Sequence, residues 1–343
     1  MSFRVLLTDY AWPDVEVERE LLRAIDAELI VAPAADAATL ARLAADVDAI
    51  LTCWAQVPAA VIEAAPRCRI VARLGVGLDN IDVATASRRG ILVTNVPDYC
   101  VHEVAEHTLA LLLGLARQVA NFHQQTKAGS YQRNAGPPLR RIAGQTLGIV
   151  GMGRIGREVA RRAAGLGLNV IAARRVGCAD QGERVEGSGP QGGPYQAPGT
   201  YPLAQLLAQS DYVSLHLPLV PETRHIIDAA ALALMKPTAY LINTARGGLV
   251  DHAALAAALG RNQIAGAALD VQDPEPPDLS QPPWNDPRVI VTPHAAFLSQ
   301  DSLLELRTRA TRQVIDCLSG RTPPHVVNRP QQAPSSSCRQ RPA

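Results

Sequence analysis

The chain has 343 residues, enough for two domains at roughly 100 to 200 residues each and too long for a small scaffold stapled by disulfides. Its 33 basic and 32 acidic side chains leave a formal charge of +1, so no bulk field recruits polyanions and nucleic-acid binding by charge alone is not expected. The most apolar helical stretch, 109–116, stops at Arg117, far short of the roughly 20 residues that cross a bilayer.

The amino-terminal MSFRVLLTDYAWPD turns acidic after a short apolar run, unlike a secretory signal. Cys53, Cys68, Cys100, Cys178, Cys317 and Cys338 form no CxxC pair, so a cytoplasmic protein with reduced, inert thiols is expected. In chain order, the runs FRVLLTD, ELIVAP, AILTC, RIVARLG and ILVTNV read as strands, with helical stretches to Ile25 and near 37–45 between them. This is the beat of βαβ units. A long helix is predicted over 101–127, and the Gly/Pro-bearing stretch 129–141 suggests that a second domain follows.

From Gly144 onward the strands TLGIVG, NVIAA, YVSLHLP, YLINTA, GAALDV and VIVTPH appear in turn. Six such strands with helices between them predict a doubly wound parallel sheet of dinucleotide-binding size. The segment 176–201 holds seven Gly and three Pro, which reads as a flexible surface excursion rather than core. The tail 329–343, rich in Pro, Gln and Ser, reads as disordered.

The string TLGIVGMGRIGREVARRAAGLGLNVIAARR sets Gly151, Gly153 and Gly156 between a strand and a helix. In that context Gly151 permits a tight turn, Gly153 lets backbone approach a pyrophosphate, and Gly156 lets helix and strand pack closely. The helix amino terminus then offers N–H groups to phosphate. Ile155, Val159, Ala163 and Leu166 form the face expected against the sheet, and Gly167 is suited to ending the helix. Where an NAD site commonly carries an acidic residue, after NVIAA, the chain has Arg174 and Arg175. These guanidinium groups would pair with a 2′-phosphate and favour NADP, or else they are solvated loop arginines.

Three further residues follow strands: Arg246 in LINTARGGLVD, Glu275 in ALDVQDPEPP and His294 in VIVTPHAAF. Loops at the carboxyl ends of parallel strands line the ligand crevice, so the three can converge beside a nicotinamide. Reducing a 2-keto acid needs a cation for its carboxylate and carbonyl, an acid for the new alkoxide and a carboxylate to orient that acid. Arg246, His294 and Glu275 supply these in turn. Each alone is ordinarily a solvated loop residue; the ordered set carries the reading.

Through GMGRIG, HLPLVPETRHIID, MKPTAYLINTARGGLVD, AALDV and TPHAA the sequence resembles the D-isomer-specific 2-hydroxyacid dehydrogenase family. RLGVGLDNID, NVPDYCVHEVAEHTLALLL and TPHAAFLSQDSLLELR look closest to its branch of carboxyl-terminal binding proteins and bacterial relatives. The resemblance implies a discontinuous substrate domain, 1–100 plus 298–328, into which an NAD(P)-binding Rossmann-like domain, 101–297, is inserted, with a cleft at the hinge.

It also implies that Arg246 binds substrate, Glu275 holds His294, and His294 exchanges the proton while hydride moves to or from the nicotinamide. Val76 and Gly77 match backbone that meets the substrate. Thr108, Arg154, Ile155, Leu217, Pro218, Thr223, Thr244, Ala245 and Asp270 match cofactor contacts, Asp270 that to the carboxamide, and the family's default implies NAD where Arg174 and Arg175 favour NADP. Phe297 stands where the corepressor branch often carries Trp, keeping an aromatic wall for the substrate. A homodimer paired through helices near 101–127 is implied as well. Two other readings stay open: a dinucleotide-sensing, corepressor-like binding protein, and a phosphoglycerate dehydrogenase. The remaining histidines have no partners at metal-ligand spacing, so no metal is expected.

Overall fold

A strand covered on both faces by helices is buried along its whole length, and four of the predicted runs contain such a strand. Ala49–Thr52, Ile70–Arg73, Tyr212–Leu215 and Gly266–Leu269 are buried at every position. The computed structural model describes residues 2–133, 138–173, 187–188, 194–195 and 198–329. The chain divides into two units, Met1–Tyr99 with Ser299–Ala343, and Cys100–Leu298.

The first unit is a parallel sheet of β1 (Phe3–Leu7), β2 (Ala27–Val31), β3 (Ala49–Thr52), β4 (Ile70–Arg73) and β5 (Leu92–Thr94), in the order β2-β1-β3-β4-β5. Its connections include α1 (Glu16–Leu22), α2 (Ala37–Ala44), α3 (Ala59–Glu63) and α4 (Val83–Arg88). The last helix among the described residues, Gln300–Leu318, packs on α1, β3 and β4. A buried ion pair ties it there. Arg307 donates to Glu18 of α1 at 2.8 and 2.7 Å and to the Asp14 carbonyl at 2.9 Å, while its guanidinium lies 5.3 Å from the Trp12 ring centroid.

The second unit contains α5 (Val101–Ala116), α6 (Val119–Lys127), β6 (Thr146–Val150), α7 (Arg154–Gly165) and β7 (Asn169–Ala173). A short antiparallel pair, β8 (Gly187–Ser188) and β9 (Pro194–Tyr195), precedes β10 (Gly199–Tyr201). Then come α8 (Leu203–Gln209), β11 (Tyr212–Leu215), α9 (Ala229–Leu234), β12 (Tyr240–Asn243), α10 (His252–Gly260), β13 (Gly266–Leu269) and β14 (Val289–Val291), before the closing helix α11 (Gln300–Leu318) of the first unit. The seven-stranded parallel sheet runs β10-β7-β6-β11-β12-β13-β14. Its order reverses between β6 and β11, the switch point at which a doubly wound sheet opens its crevice.

Three expectations need correction. The helix predicted over 101–127 is two, because the apolar face of α5 ends at Ala116 and Gln118 turns left-handed at φ 54°, its backbone and side-chain N–H groups both donating to the Leu115 carbonyl, at 3.2 and 3.0 Å. Leu166 does not join the buried face of α7: the helix ends at Gly165, Leu166 is 39% exposed, and Ala160 packs inward instead. The sheet has seven strands rather than six, since the end of the Gly-rich segment, Gly199–Tyr201, pairs in parallel with β7. Apart from 187–188, 194–195 and 198–201, the segment 176–201 falls outside the described residues, as does the tail beyond residue 329.

Removing one partner of a buried pair strands the other charge. Glu18→Ala should therefore cost about 3 kcal/mol of unfolding free energy, while replacing Glu18 and Arg307 together by leucine should recover most of it. Urea denaturation checks both, and a Glu18→Ala loss within 0.5 kcal/mol of zero, about the scatter of surface substitutions, would show that the pair does not tie α11 to α1.

Candidate active site

The three glycines after β6 differ in what the fold requires of them. Gly151 has φ +108°, and a Cβ there would lie 2.5 Å from the His216 carbonyl oxygen. A Cβ on Gly156 would lie 2.1 Å from the Gly151 oxygen. Both are demanded by packing. Gly153, the N-cap of α7, has an ordinary φ of −71°, and a Cβ there would meet nothing within 4 Å. The open space lies at a helix amino terminus, where unpaired N–H groups suit a pyrophosphate. Arg154 is exposed beside it and Ile155 packs into the core beneath. The chain thus fits a dinucleotide at this turn.

The neighbouring loop after β11 carries Leu217 and Pro218, and it is braced by Thr223. That hydroxyl donates to the Pro218 carbonyl at 2.7 Å and accepts from the Val220 N–H at 2.9 Å. Thr108 is fully buried, its hydroxyl donating to Val104 at 2.7 Å and bonding the Thr244 hydroxyl at 2.9 Å. This ties α5 to the end of β12. Arg174 and Arg175 follow the last residue of β7 and lie outside the described residues.

At the ends of β12, β13 and β14 the basic, acidic and imidazole groups gather. Asn243 donates to the Arg246 carbonyl at 2.9 Å and accepts from the Ala245 N–H at 3.0 Å, and the Arg246 guanidinium donates to the Ala245 carbonyl at 2.7 Å. The turn then lies directly on the next loop: a Cβ on Gly247 would be 2.1 Å from Gln272 backbone. Glu275 in that loop accepts the Gln272 N–H at 2.8 Å through one oxygen and meets His294 Nδ1 at 2.9 Å through the other. Burial pushes the Glu275 carboxyl upward. The bond and charge of His294, the Gln272 N–H and the charge of Arg246 outweigh it, so the group lies below its ordinary range.

His294 sits at φ 52°, a left-handed conformation uncommon outside glycine. Its N–H donates to the Asp270 carbonyl at 2.7 Å, and its ring meets Phe297 edge-on at 6.2 Å. Asp270, expected to touch the cofactor carboxamide, spends its side chain on the chain itself. Its oxygens accept the Thr292 hydroxyl at 2.6 Å and the Ala295 and Ala296 N–H groups at 2.9 Å each. Burial would raise this carboxyl, but those bonds together with His107 hold it down at about 2.

In the first unit, the Val76 carbonyl accepts from Asn95 at 2.7 Å and the Gly77 carbonyl from Arg73 at 3.2 Å. The sequence did not mark His107, Thr292 and Gln272, which meet residues distant along the chain. Among the described residues no helix is long and apolar enough to cross a membrane, and no group of three His, Cys, Asp or Glu could hold a metal.

Residues 109–296 match the profile of the D-isomer specific 2-hydroxyacid dehydrogenase NAD binding domain. The chain belongs to the D-isomer-specific 2-hydroxyacid dehydrogenase family. It is 40% identical over 289 residues to a glyoxylate reductase of Korarchaeum cryptofilum, covering 82% of this chain and 83% of that protein.

Two solved structures are similar throughout. One is the NADPH-dependent glyoxylate/hydroxypyruvate reductase of Sinorhizobium meliloti with NADP and malonate, at TM-score 0.82 and 29% identity, covering 97% of this chain and 100% of the other. The second, D-lactate dehydrogenase from Aquifex aeolicus with NAD and lactic acid, has TM-score 0.79 and 27% identity, covering 92% and 96%. This dehydrogenase is therefore an NAD(P)-dependent oxidoreductase of 2-hydroxy acids, with two parallel-sheet α/β units.

Open space at Gly153 against full contact at Gly156 separates ligand binding from folding. Gly153→Ala should leave the melting temperature unchanged and weaken dinucleotide binding at least about tenfold, a loss of about 1.4 kcal/mol. Gly156→Ala should lower the melting temperature. Calorimetric titration with scanning calorimetry checks both, and a Gly153→Ala protein binding dinucleotide normally would contradict the assignment.

Proposed function

We propose that this dehydrogenase reduces a small 2-keto acid, glyoxylate to glycolate or hydroxypyruvate to the D-2-hydroxy acid, with NADPH preferred and His294 as the proton donor. The observation that carries the reading is the 2.9 Å contact between His294 Nδ1 and Glu275, on a carboxylate that also feels the charge of Arg246. The bound dinucleotide, held at Gly151, Gly153, Arg154, Ile155 and Gly156, supplies the hydride.

Arg246 grips the substrate carboxylate and polarises the carbonyl. As the carbon–hydrogen bond forms, the carbonyl electron pair moves onto oxygen, and the Nε2 proton of His294 passes to that oxygen. Glu275 accepts a hydrogen bond from Nδ1–H, which stays on the ring, fixes its orientation and leaves the Nε2 proton for the substrate. Phe297, edge-on to the same ring, bounds the space left for the substrate side chain. Val76 and Gly77 offer backbone to the substrate, while Leu217, Pro218, Thr223, Thr244 and Ala245 serve the cofactor. In this reading Thr108 and Asp270 act through the chain, since their side chains are fully buried and bonded within it.

The NADPH preference is supported by Arg174 and Arg175 in the place of an acidic residue. A homodimer is supported by α6, which buries no residue within its own chain, and by Val119, Tyr131 and Leu139, exposed at 58%, 80% and 41%. RLGVGLDNID and NVPDYCVHEVAEHTLALLL support kinship with the carboxyl-terminal binding protein branch. The free thiols of Cys53, Cys68 and Cys317 support a cytoplasmic setting.

Purified protein should oxidise NADPH with glyoxylate or hydroxypyruvate, and His294→Ala should lose about 10² to 10⁴ of kcat. No turnover with any 2-keto acid despite tight dinucleotide binding would favour a binding role instead. For the cofactor, Arg174→Asp should shift the NADPH-to-NADH ratio of kcat/KM toward NADH; an unchanged ratio would discard the 2′-phosphate contact.

A further inference from the structure

A buried carboxylate is tolerated only where its lone pairs are filled and its charge is answered. Asp270 is such a group: it is fully buried and held ionised down to about 2. Its two oxygens clamp the N–H groups of Ala295 and Ala296, and its main-chain carbonyl takes the N–H of His294. Three consecutive residues, beginning with His294 in its left-handed conformation, are therefore hung from one aspartate. Strained backbone of this kind persists only when its surroundings over-determine it.

The side chains that orient Asp270 are Thr292 and His107. The Thr292 hydroxyl donates to Asp270 at 2.6 Å, and His107 Nε2 stands 3.1 Å from that same hydroxyl oxygen and 3.5 Å from the carboxylate. His107 projects from α5, whose buried face is otherwise Val104, Ala105, Thr108, Leu109, Leu111, Leu112, Leu115 and Ala116. Of the groups bonded to Asp270, this imidazole is the one able to carry a positive charge.

We infer that His107 is a positioning residue for proton transfer. By holding Asp270 and the Thr292 hydroxyl in place it fixes the 294–296 turn, and with it the direction in which the His294 ring presents its proton. Only the order of that turn depends on His107; dinucleotide binding at the glycine turn does not. The inference rests on the reading of His294 as proton donor.

The test compares His107→Phe and His107→Gln with the unaltered chain, using hydroxypyruvate and NADPH together with the proton NMR signal of the His294 Nδ1–H. A misplacement near 1 Å can cost about 10²-fold in rate. His107→Phe should lower kcat about 10- to 100-fold, leave KM for NADPH unchanged and broaden the His294 signal, while His107→Gln, which keeps a donor, restores most of both. If His107→Phe does not fold, Thr292→Val cuts the same link from the β14 side and should give the same losses. Full kcat in His107→Phe, or an unchanged His294 signal, overturns the inference. Should the unaltered chain reduce no 2-keto acid, the functional reading fails while the His294 signal still decides this one.

Discussion

The hydrogen bond between Glu275 and His294 is only as useful as the two loops that carry it. A carboxylate beside an imidazole can fix a tautomer and stabilise a cation, but both side chains and the backbone that carries them must be immobile for the proton to point one way. Here the immobility comes from bonds within the loop after β13 and from that loop to the turn at 294–296. Gln272 gives its N–H to Glu275, and Asp270 takes the N–H groups of Ala295 and Ala296 on the far side of His294. Gln272 also donates its side-chain amide to the Leu269 and Thr292 carbonyls at 3.2 and 3.1 Å, joining the ends of β13 and β14.

That arrangement is a consequence of topology before it is one of chemistry. Strands β12, β13 and β14 are adjacent and parallel, so their carboxyl ends face one way and the residues after them become neighbours. Gly247 makes the approach close enough, because any side chain there would run into Gln272. On the other side of the sheet reversal, Gly151 and Gly156 close the β6 to α7 turn and leave Gly153 facing open space. The carboxyl ends of the strands in one sheet therefore carry both the open glycine turn and the Glu275–His294 contact.

Much of this was legible in the sequence, for identifiable reasons. Strands buried on both faces leave apolar runs, and a glycine required by sterics stays visible because no other residue fits. Arg246, Glu275 and His294 could be chosen because each follows such a run. What was not legible depended on partners far along the chain. Nothing in VHEVAEHTLALLL marks His107 as lying 3.1 Å from Thr292, a residue 185 positions away. The break at Gln118 was hidden because Gln is a good helix former and the left-handed turn there is set by where the buried face of α5 ends. Gly199–Tyr201 was lost inside a Gly-rich stretch because a three-residue edge strand has too little pattern to read.

On the proposed function Glu275 and His294 act as one unit. Groups that share a function lose it together, so their substitutions do not multiply. The most direct measurement is the single-turnover rate of hydroxypyruvate reduction in Glu275→Gln, His294→Ala and the double variant. The account predicts that the double variant is no slower than His294→Ala alone. A double variant slowed by the product of the two single losses would show that the carboxylate and the imidazole work independently, and would contradict it.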